Sequence, residues 1–172
     1  MDVVTGPDSS REEMLTELVA QYQRPLLTLC YTYLHDRQLA EDAVQETFLR
    51  AYRAMGTFRG ESTAKTWLTK IAINICRDTR RSAWFSHVNR RVTPEDVPMA
   101  VEGFRQEAAD LAAAIKQLSD KYKEVILLYY YQEMTMPEIA AALEVTPSTV
   151  SRRIQKAQAK LQGLLGKEYL HG

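Results

Sequence analysis

Residues that carry covalent or metal chemistry are scarce in this chain of 172 residues. There are two cysteines, Cys30 and Cys76, and three histidines, His35, His87 and His171. None is spaced as zinc ligands are, and two cysteines build no disulfide scaffold. Both thiols sit in apolar surroundings and read as reduced, buried side chains. No nucleophile–base pair or Gly-rich phosphate loop is present, so neither an enzyme nor a cofactor is expected. No apolar run approaches the roughly 20 residues of a membrane span. The acidic start, MDVVTGPDSSREE, has no hydrophobic signal core. The expectation is a cytoplasmic chain without membrane insertion. A charge excess is missing too, since 22 Lys and Arg balance 22 Asp and Glu.

Helical periodicity is what the chain does have, and no strand-like alternation competes with it. The pattern predicts an all-α fold of two small helical domains joined by a flexible linker. The first, residues 10–84, reads as four helices: Arg11 to Tyr22, Pro25 to Leu34, Gln38 to Met55 and Thr63 to Ser82. The third is the clearest, with Ala40, Ala43, Val44, Thr47, Phe48, Ala51, Tyr52 and Met55 on one face. Trp67 lies on the apolar stripe of the fourth and reads as core. Residues 85–106, with Pro94, Pro98, Gly103 and an acidic bias, read as the linker. The second domain, residues 107–167, resumes with helices near Gln106–Leu118 and Asp120–Tyr131.

The zero net charge conceals segregation. Residues 1–58 carry 5 basic and 9 acidic side chains, and residues 59–91 carry 8 and 2. Residues 92–146 carry 4 and 10, and residues 147–167 carry 5 and none. One basic segment near the end of each domain suggests two contacts with a polyanion.

The stretch TMPEIAAALEVTPSTVSRRIQKAQAKL, from Thr135 to Leu161, forms a helix-turn-helix on paper. Thr135 and Glu138 make a capping box, Thr146 is a good N-cap, and Pro147 suits the first helical position. Val150, Ile154, Ala157, Leu161 and Leu164 face inward. Ser148, Thr149, Ser151, Arg152, Gln155, Lys156 and Lys160 face out, a polar and cationic surface suited to the major groove. Glu144 stands where such turns often have Gly, so a positive φ there would be mildly strained.

Two further surfaces stand out in the first domain. Asp42, Gln45, Glu46 and Leu49 form an acidic, part-apolar stripe that suits a basic partner helix or is a solvated face. Lys70, Asn74, Arg77 and Arg81 form a basic face. The loop before it, with Phe58, Arg59, Gly60 and Ser62, has the aromatic, glycine and hydroxyl to hold an unpaired strand.

Three stretches carry a family resemblance. AEDAVQETFLRAY (Ala40–Tyr52) resembles region 2.2 of bacterial sigma factors. TFRGESTAKTWLTKIAINICRDTRR (Thr57–Arg81) resembles regions 2.3 and 2.4 of the extracytoplasmic-function group. LSDKYKEVILLYYYQEMTMPEIAAALEVTPSTVSRRIQKAQAKL (Leu118–Leu161) resembles their region 4. The likeness spans about residues 12–165 and implies an alternative sigma factor with core RNA polymerase, promoter DNA and an anti-sigma factor as partners. It implies that Asp42, Gln45, Glu46 and Leu49 bind the β′ clamp helices. Phe58, Arg59, Gly60, Ser62, Lys70, Asn74 and Arg77 would hold the non-template −10 strand. Ser148, Thr149, Ser151, Arg152, Gln155 and Lys156 would read the −35 element, with Tyr122 and Leu127 near the β flap. Two departures appear: Ala64-Lys65 replaces an aromatic before Trp67-Leu68, and Ser119 replaces a common Pro. A stand-alone helix-turn-helix regulator of duplex DNA and an all-helical adaptor are the alternative readings.

Overall fold

A computed structural model describes residues 6–58, 60–85 and 105–166. Its helices are α1 (Pro7–Leu34), α2 (Arg37–Ala54), α3 (Ala64–Phe85), α4 (Arg105–Gln117), α5 (Asp120–Ile126), α6 (Met136–Leu143) and α7 (Pro147–Leu165). A 3₁₀ turn (Met55–Thr57) follows α2 and a π turn (Leu127–Tyr131) follows α5. No strand occurs among the described residues, in keeping with the all-α expectation. Most of the expected linker, residues 86–104, lies outside the described residues. So do Arg59 and the tail from residue 167.

The first correction concerns Pro25, which was expected to open a helix and instead lies inside α1. An interior proline removes one helical N–H and crowds the carbonyl four residues back, at a cost of about 3 kcal/mol. Burial on both sides offsets that cost. Leu18, Val19 and Tyr22 pack against the core before it, while Leu26, Leu29, Cys30 and Tyr33 are buried after it. The helix ends at His35, whose left-handed φ of 55° lets its N–H reach the Tyr31 carbonyl at 2.8 Å.

Helix α2 starts at Asp36, whose carboxylate accepts from the Leu39 N–H at 2.9 Å. Its buried face is the expected one: Ala40, Ala43, Val44, Thr47, Phe48 and Ala51. Small side chains there let α1 and α3 approach closely, and Leu68, Ala72, Ile73, Ile75 and Cys76 fill the space from α3. In the second unit, α5 and α6 pack on α7 through Val125, Ile126, Ile139, Leu143, Val150, Ile154 and Leu161. The two units also touch. Helix α3 lies against α6, α1 meets α4 and the π turn, and one apolar cluster runs through both units.

Two smaller expectations are corrected. Leu164 is exposed, and its neighbour Leu165 is the residue that packs against the core at this end of α7. The helix expected through Tyr131 changes pitch at Leu127, where the Gln132 N–H bonds the Leu127 carbonyl five residues back. Tyr129 thereby turns outward. Ser119 occupies the N-cap of α5 but makes no side-chain cap bond; its carbonyl instead accepts from Tyr122 and Lys123.

The helix-turn-helix forms as expected. Thr135 Oγ1 accepts from the Glu138 N–H at 3.3 Å and donates to the Glu138 carboxylate at 2.9 Å. Glu144 closes α6 with φ 57°. Thr146 Oγ1 accepts from the Thr149 N–H at 3.2 Å and caps α7. Losing that cap should destabilise the protein by about 1 kcal/mol in Thr146→Ala, while Thr146→Ser retains the cap. Urea unfolding of the two variants beside wild type measures the difference.

Candidate nucleic-acid interface

The open face of α7 is built from its first three turns. Val150, Ile154 and Ala157 are anchored inward, which turns Ser148, Arg152, Gln155 and Lys156 to the surface. Thr149 and Ser151 are half-buried at its edge. The hydroxyls of Ser148 and Thr149 lie 3.1 and 2.9 Å from Thr146 Oγ1, and Arg152 donates to Thr149 Oγ1 at 3.2 Å. The helix start is therefore ordered, with a guanidinium, an amide and an ammonium projecting beyond it. Lys160 is drawn aside, its Nζ lying 5.2 Å from the Tyr122 ring centre.

The loop before α3 shapes a cleft of about 560 Å³, within the range of small-ligand sites. Thr57, Phe58, Glu61, Ser62, Thr66, Trp67, Lys70 and Ala141 line it. Gly60 adopts φ 72°, and a Cβ there would meet nothing within 4 Å. Its requirement for Gly is therefore conformational rather than spatial. Phe58 and Trp67 stack with centroids 4.5 Å apart and planes inclined by 22°. Trp67 is thus half-buried, packed against the core as expected and lining the cleft with its other side. Glu61, Thr57 and Thr66 are lining groups that sequence reasoning missed, although Glu61 sits between two residues it did select.

From α3, Lys70 lines the cleft, Asn74 is exposed, and Arg77 is half-buried on the same face. Arg81 is turned to Asp78 of its own helix at 3.0 Å. Arg59 lies outside the described residues, so its place in the loop is not specified.

The acidic stripe stands on the far side of α2 from its core face. Asp42, Gln45 and Leu49 are exposed and Glu46 is half-buried. Asp42 accepts from Gln38 at 3.1 Å, and Glu46 pairs with Arg50 at 3.0 Å. Leu49 is 49% exposed, an apolar contact point among carboxylates. Tyr122 and Leu127 are buried, and the accessible aromatics beside them are Tyr129, Tyr130 and Tyr131.

A polar network joins the units behind these faces. Arg77 donates from Nε and Nη2 to the two oxygens of Glu124, each at 2.7 Å. The Tyr33 hydroxyl donates to the same carboxylate at 2.9 Å. Glu124 is only 2% exposed, so its charge is removed from water and depends on these donors. The bidentate contact raises the Arg77 pKa above its usual value. Burial, then Glu124, holds the Tyr33 hydroxyl well above the ordinary phenol range.

Comparison with known proteins shows what these surfaces are similar to. Residues 18–86 match the family model for Sigma-70 region 2, and residues 108–161 match that for Sigma-70, region 4. The chain is 31% identical to the RNA polymerase sigma-H factor of Pseudomonas aeruginosa, over 86% of this chain and 84% of that protein. It is 28% identical to the ECF RNA polymerase sigma factor SigW of Bacillus subtilis, covering 88% of each. Among solved structures, CnrH in complex with the cytosolic domain of CnrY matches with TM-score 0.72 and 29% identity, over 92% of this chain and 91% of that one. The sigma factor RpoE of Bartonella quintana, crystallised with the anti-sigma factor NepR, shares the fold at TM-score 0.74 and 21% identity, over 91% of this chain and 99% of that one.

Two bases, half-buried His35 and buried Lys123, flank the interunit network. His35 is lowered to about 4, first by burial and then by Lys123, Lys116 and Arg80. Its Nε2 has no hydrogen-bond partner among the described residues. Lys123, fully buried over the Tyr33 ring, is lowered to about 8, also chiefly by burial. Unfolded, His35 takes up a proton near pH 6.5, whereas folded it does so only near pH 4. Protons therefore favour the unfolded chain across that window, and stability falls as pH drops through it. Lys123 works the same way between about pH 8 and 10.5, where stability rises with pH. Urea unfolding at pH values from 7 to 4.5 should show a shallower decline in His35→Asn than in wild type, since Asn also tolerates the left-handed backbone.

Proposed function

The chain belongs to the sigma-70 family of bacterial RNA polymerase sigma factors, in its extracytoplasmic-function group, and from that membership we propose how its surfaces divide the work of transcription initiation. It is an alternative sigma factor, a protein that binds core RNA polymerase and promoter DNA. Neither a stand-alone repressor nor a helical adaptor accounts for the match to region 2 beside the match to region 4.

Helix α7 reads the −35 element as duplex. Arg152 and Gln155 offer donors to guanine and adenine edges, Lys156 holds a phosphate, and Ser148, Thr149 and Ser151 fix the register. The cleft before α3 takes an unstacked base of the non-template −10 strand. Phe58 and Trp67 supply the stacking surface, Gly60 lets the loop turn, and Ser62 and Glu61 offer polar edges. Lys70, Asn74 and Arg77 line the path of the strand, and Arg59 belongs to the same loop. The stacking and phosphate contacts offset the few kcal/mol needed to unpair a base. Asp42, Gln45, Glu46 and Leu49 dock on the β′ clamp helices, and the exposed tyrosines after α5 face the β flap.

Three contacts on one chain raise one another's effective concentration, which suits a factor that must hold polymerase and two DNA elements together. Melting by such capture needs no covalent bond to be broken, so the protein works as a binding factor rather than an enzyme, without a cofactor. Among the described residues no helix is long and apolar enough to cross a membrane, and we place its action in the cytoplasm with the polymerase. An anti-sigma factor is the expected restraint, because the similar structures of CnrH and RpoE are complexes with CnrY and with the anti-sigma factor NepR.

The observation that carries this reading is the presence of two basic helix faces on one chain, one beside an aromatic cleft and one behind a capped tight turn. The purified chain should retain core RNA polymerase in a pull-down, and Asp42→Arg/Glu46→Arg should lose at least about tenfold in affinity, about 1.4 kcal/mol. Equal retention by that folded double variant would remove the stripe from the polymerase contact.

A further inference from the structure

The cleft before α3 is short of positive charge for a site that takes a nucleic-acid strand. Among the described residues its lining holds one cation, Lys70, and one carboxylate, Glu61. Their charges cancel, and Lys70 Nζ already lies 2.6 Å from Glu144 Oε1. Phosphates beside a captured base would find no net attraction in that lining. A guanidinium that sequence reasoning passed over stands at its edge.

Arg11 reaches from the second turn of α1 onto the 3₁₀ turn that follows α2. A Cβ added to Gly56 would lie 3.0 Å from Arg11 Nη2 and 3.8 Å from its Cζ. Unlike Gly60, Gly56 has no left-handed φ, so a side chain there would meet no backbone strain. What this glycine provides is room: its bare face seats the guanidinium. The next residues along the chain, Thr57 and Phe58, form the first wall of the cleft. Consecutive Cα atoms are about 3.8 Å apart, so the seat adjoins the rim.

Arg11 is also uncommitted. Arg37 and Arg50 pair with Glu41 and Glu46 of their own helix, and Lys70, Arg77, Arg80 and Arg81 each meet a carboxylate. Arg11 is exposed and pairs with no carboxylate among the described residues, although Asp8 stands one turn before it on α1. Its planar fork of donors matches two oxygens of a single phosphate.

We propose that Arg11, seated on Gly56, holds a phosphate of the non-template strand beside the unstacked base. The inference deepens the −10 assignment of the cleft and rests on it. It adds to the strand's path a cation from α1, on the side where the lining has none.

A plainer role is open to the same side chain, because a cation at the C-terminal end of α2 complements the helix dipole. That role changes stability and leaves the salt dependence of DNA binding untouched. A phosphate contact changes the salt dependence, since each phosphate neutralised releases counterions.

The test uses the full chain in complex with core RNA polymerase. Its probe is a fluorescent single-stranded DNA selected from a random pool by the wild-type complex. Anisotropy titrations at rising salt give the slope of log K against log salt. Arg11→Ala should flatten that slope by about 0.7 and weaken binding roughly fourfold at about 0.15 M salt, which is the same slope carried to 1 M. Arg11→Lys, which keeps the charge, should restore the slope. Arg37→Ala removes an exposed arginine at the other end of α2 and should leave the slope unchanged. Urea unfolding checks that each variant is folded. An unchanged slope in folded Arg11→Ala overturns the proposal. Equal flattening in Arg37→Ala, or failure of Arg11→Lys to restore the slope, overturns it also. Phe58→Ala separates the proposal from the assignment beneath it. Binding lost in Phe58→Ala but kept at full slope in Arg11→Ala refutes the arginine contact alone. Binding indifferent to Phe58→Ala refutes the cleft as the base site, and the proposal with it.

Discussion

A carboxylate that cannot stay in water organises this protein. Glu124 is carried by α5 into the seam between the two units, where it is 2% exposed. Ionised and unpaired there, it would cost several kcal/mol. Arg77 from α3 and Tyr33 from α1 both answer it, so three helices must meet in one arrangement for the charge to be tolerated. Lys123 next to it, without a hydrogen-bond acceptor among the described residues, adds a second strained charge to the same seam. Such a seam is specific in geometry and sensitive to anything that competes for Arg77.

The charge pattern gains meaning from that seam. Net neutrality arises because acidic and basic segments are matched, not because charge is evenly mixed. The basic stretch that ends the first unit lies against Asp120, Glu124 and Glu144 of the acidic stretch that opens the second. Among the described residues the basic face of α7 pairs with no carboxylate, and it stays on the surface.

Local features were legible in the sequence and long-range ones were not. The α2 core face, both threonine caps, the left-handed Glu144 and the polar face of α7 follow from spacings of three or four residues, and the structure repeats them. The failures share a different cause. Pro25 looked like a helix start because nothing nearby in sequence shows that Leu18 through Tyr33 form one buried stripe. Trp67 packs on the core as its stripe implies, but its stacking on Phe58 was not legible, because Phe58 sits in an irregular loop. The seam left no local trace at all: Tyr33 and Glu124 are 91 residues apart, and Arg77 and Glu124 are 47 apart. Periodicity placed each of these residues on a helix, and only tertiary packing decided what each one faces.

The most direct measurement of this account is the stability that the Glu124 network confers. The account predicts that Arg77→Met, which leaves the buried Glu124 carboxylate short of its bidentate partner, destabilises the chain by about 3 kcal/mol or more in urea unfolding, and that Arg77→Met/Glu124→Leu recovers most of that loss. An equal loss in the single and the double variant would contradict it.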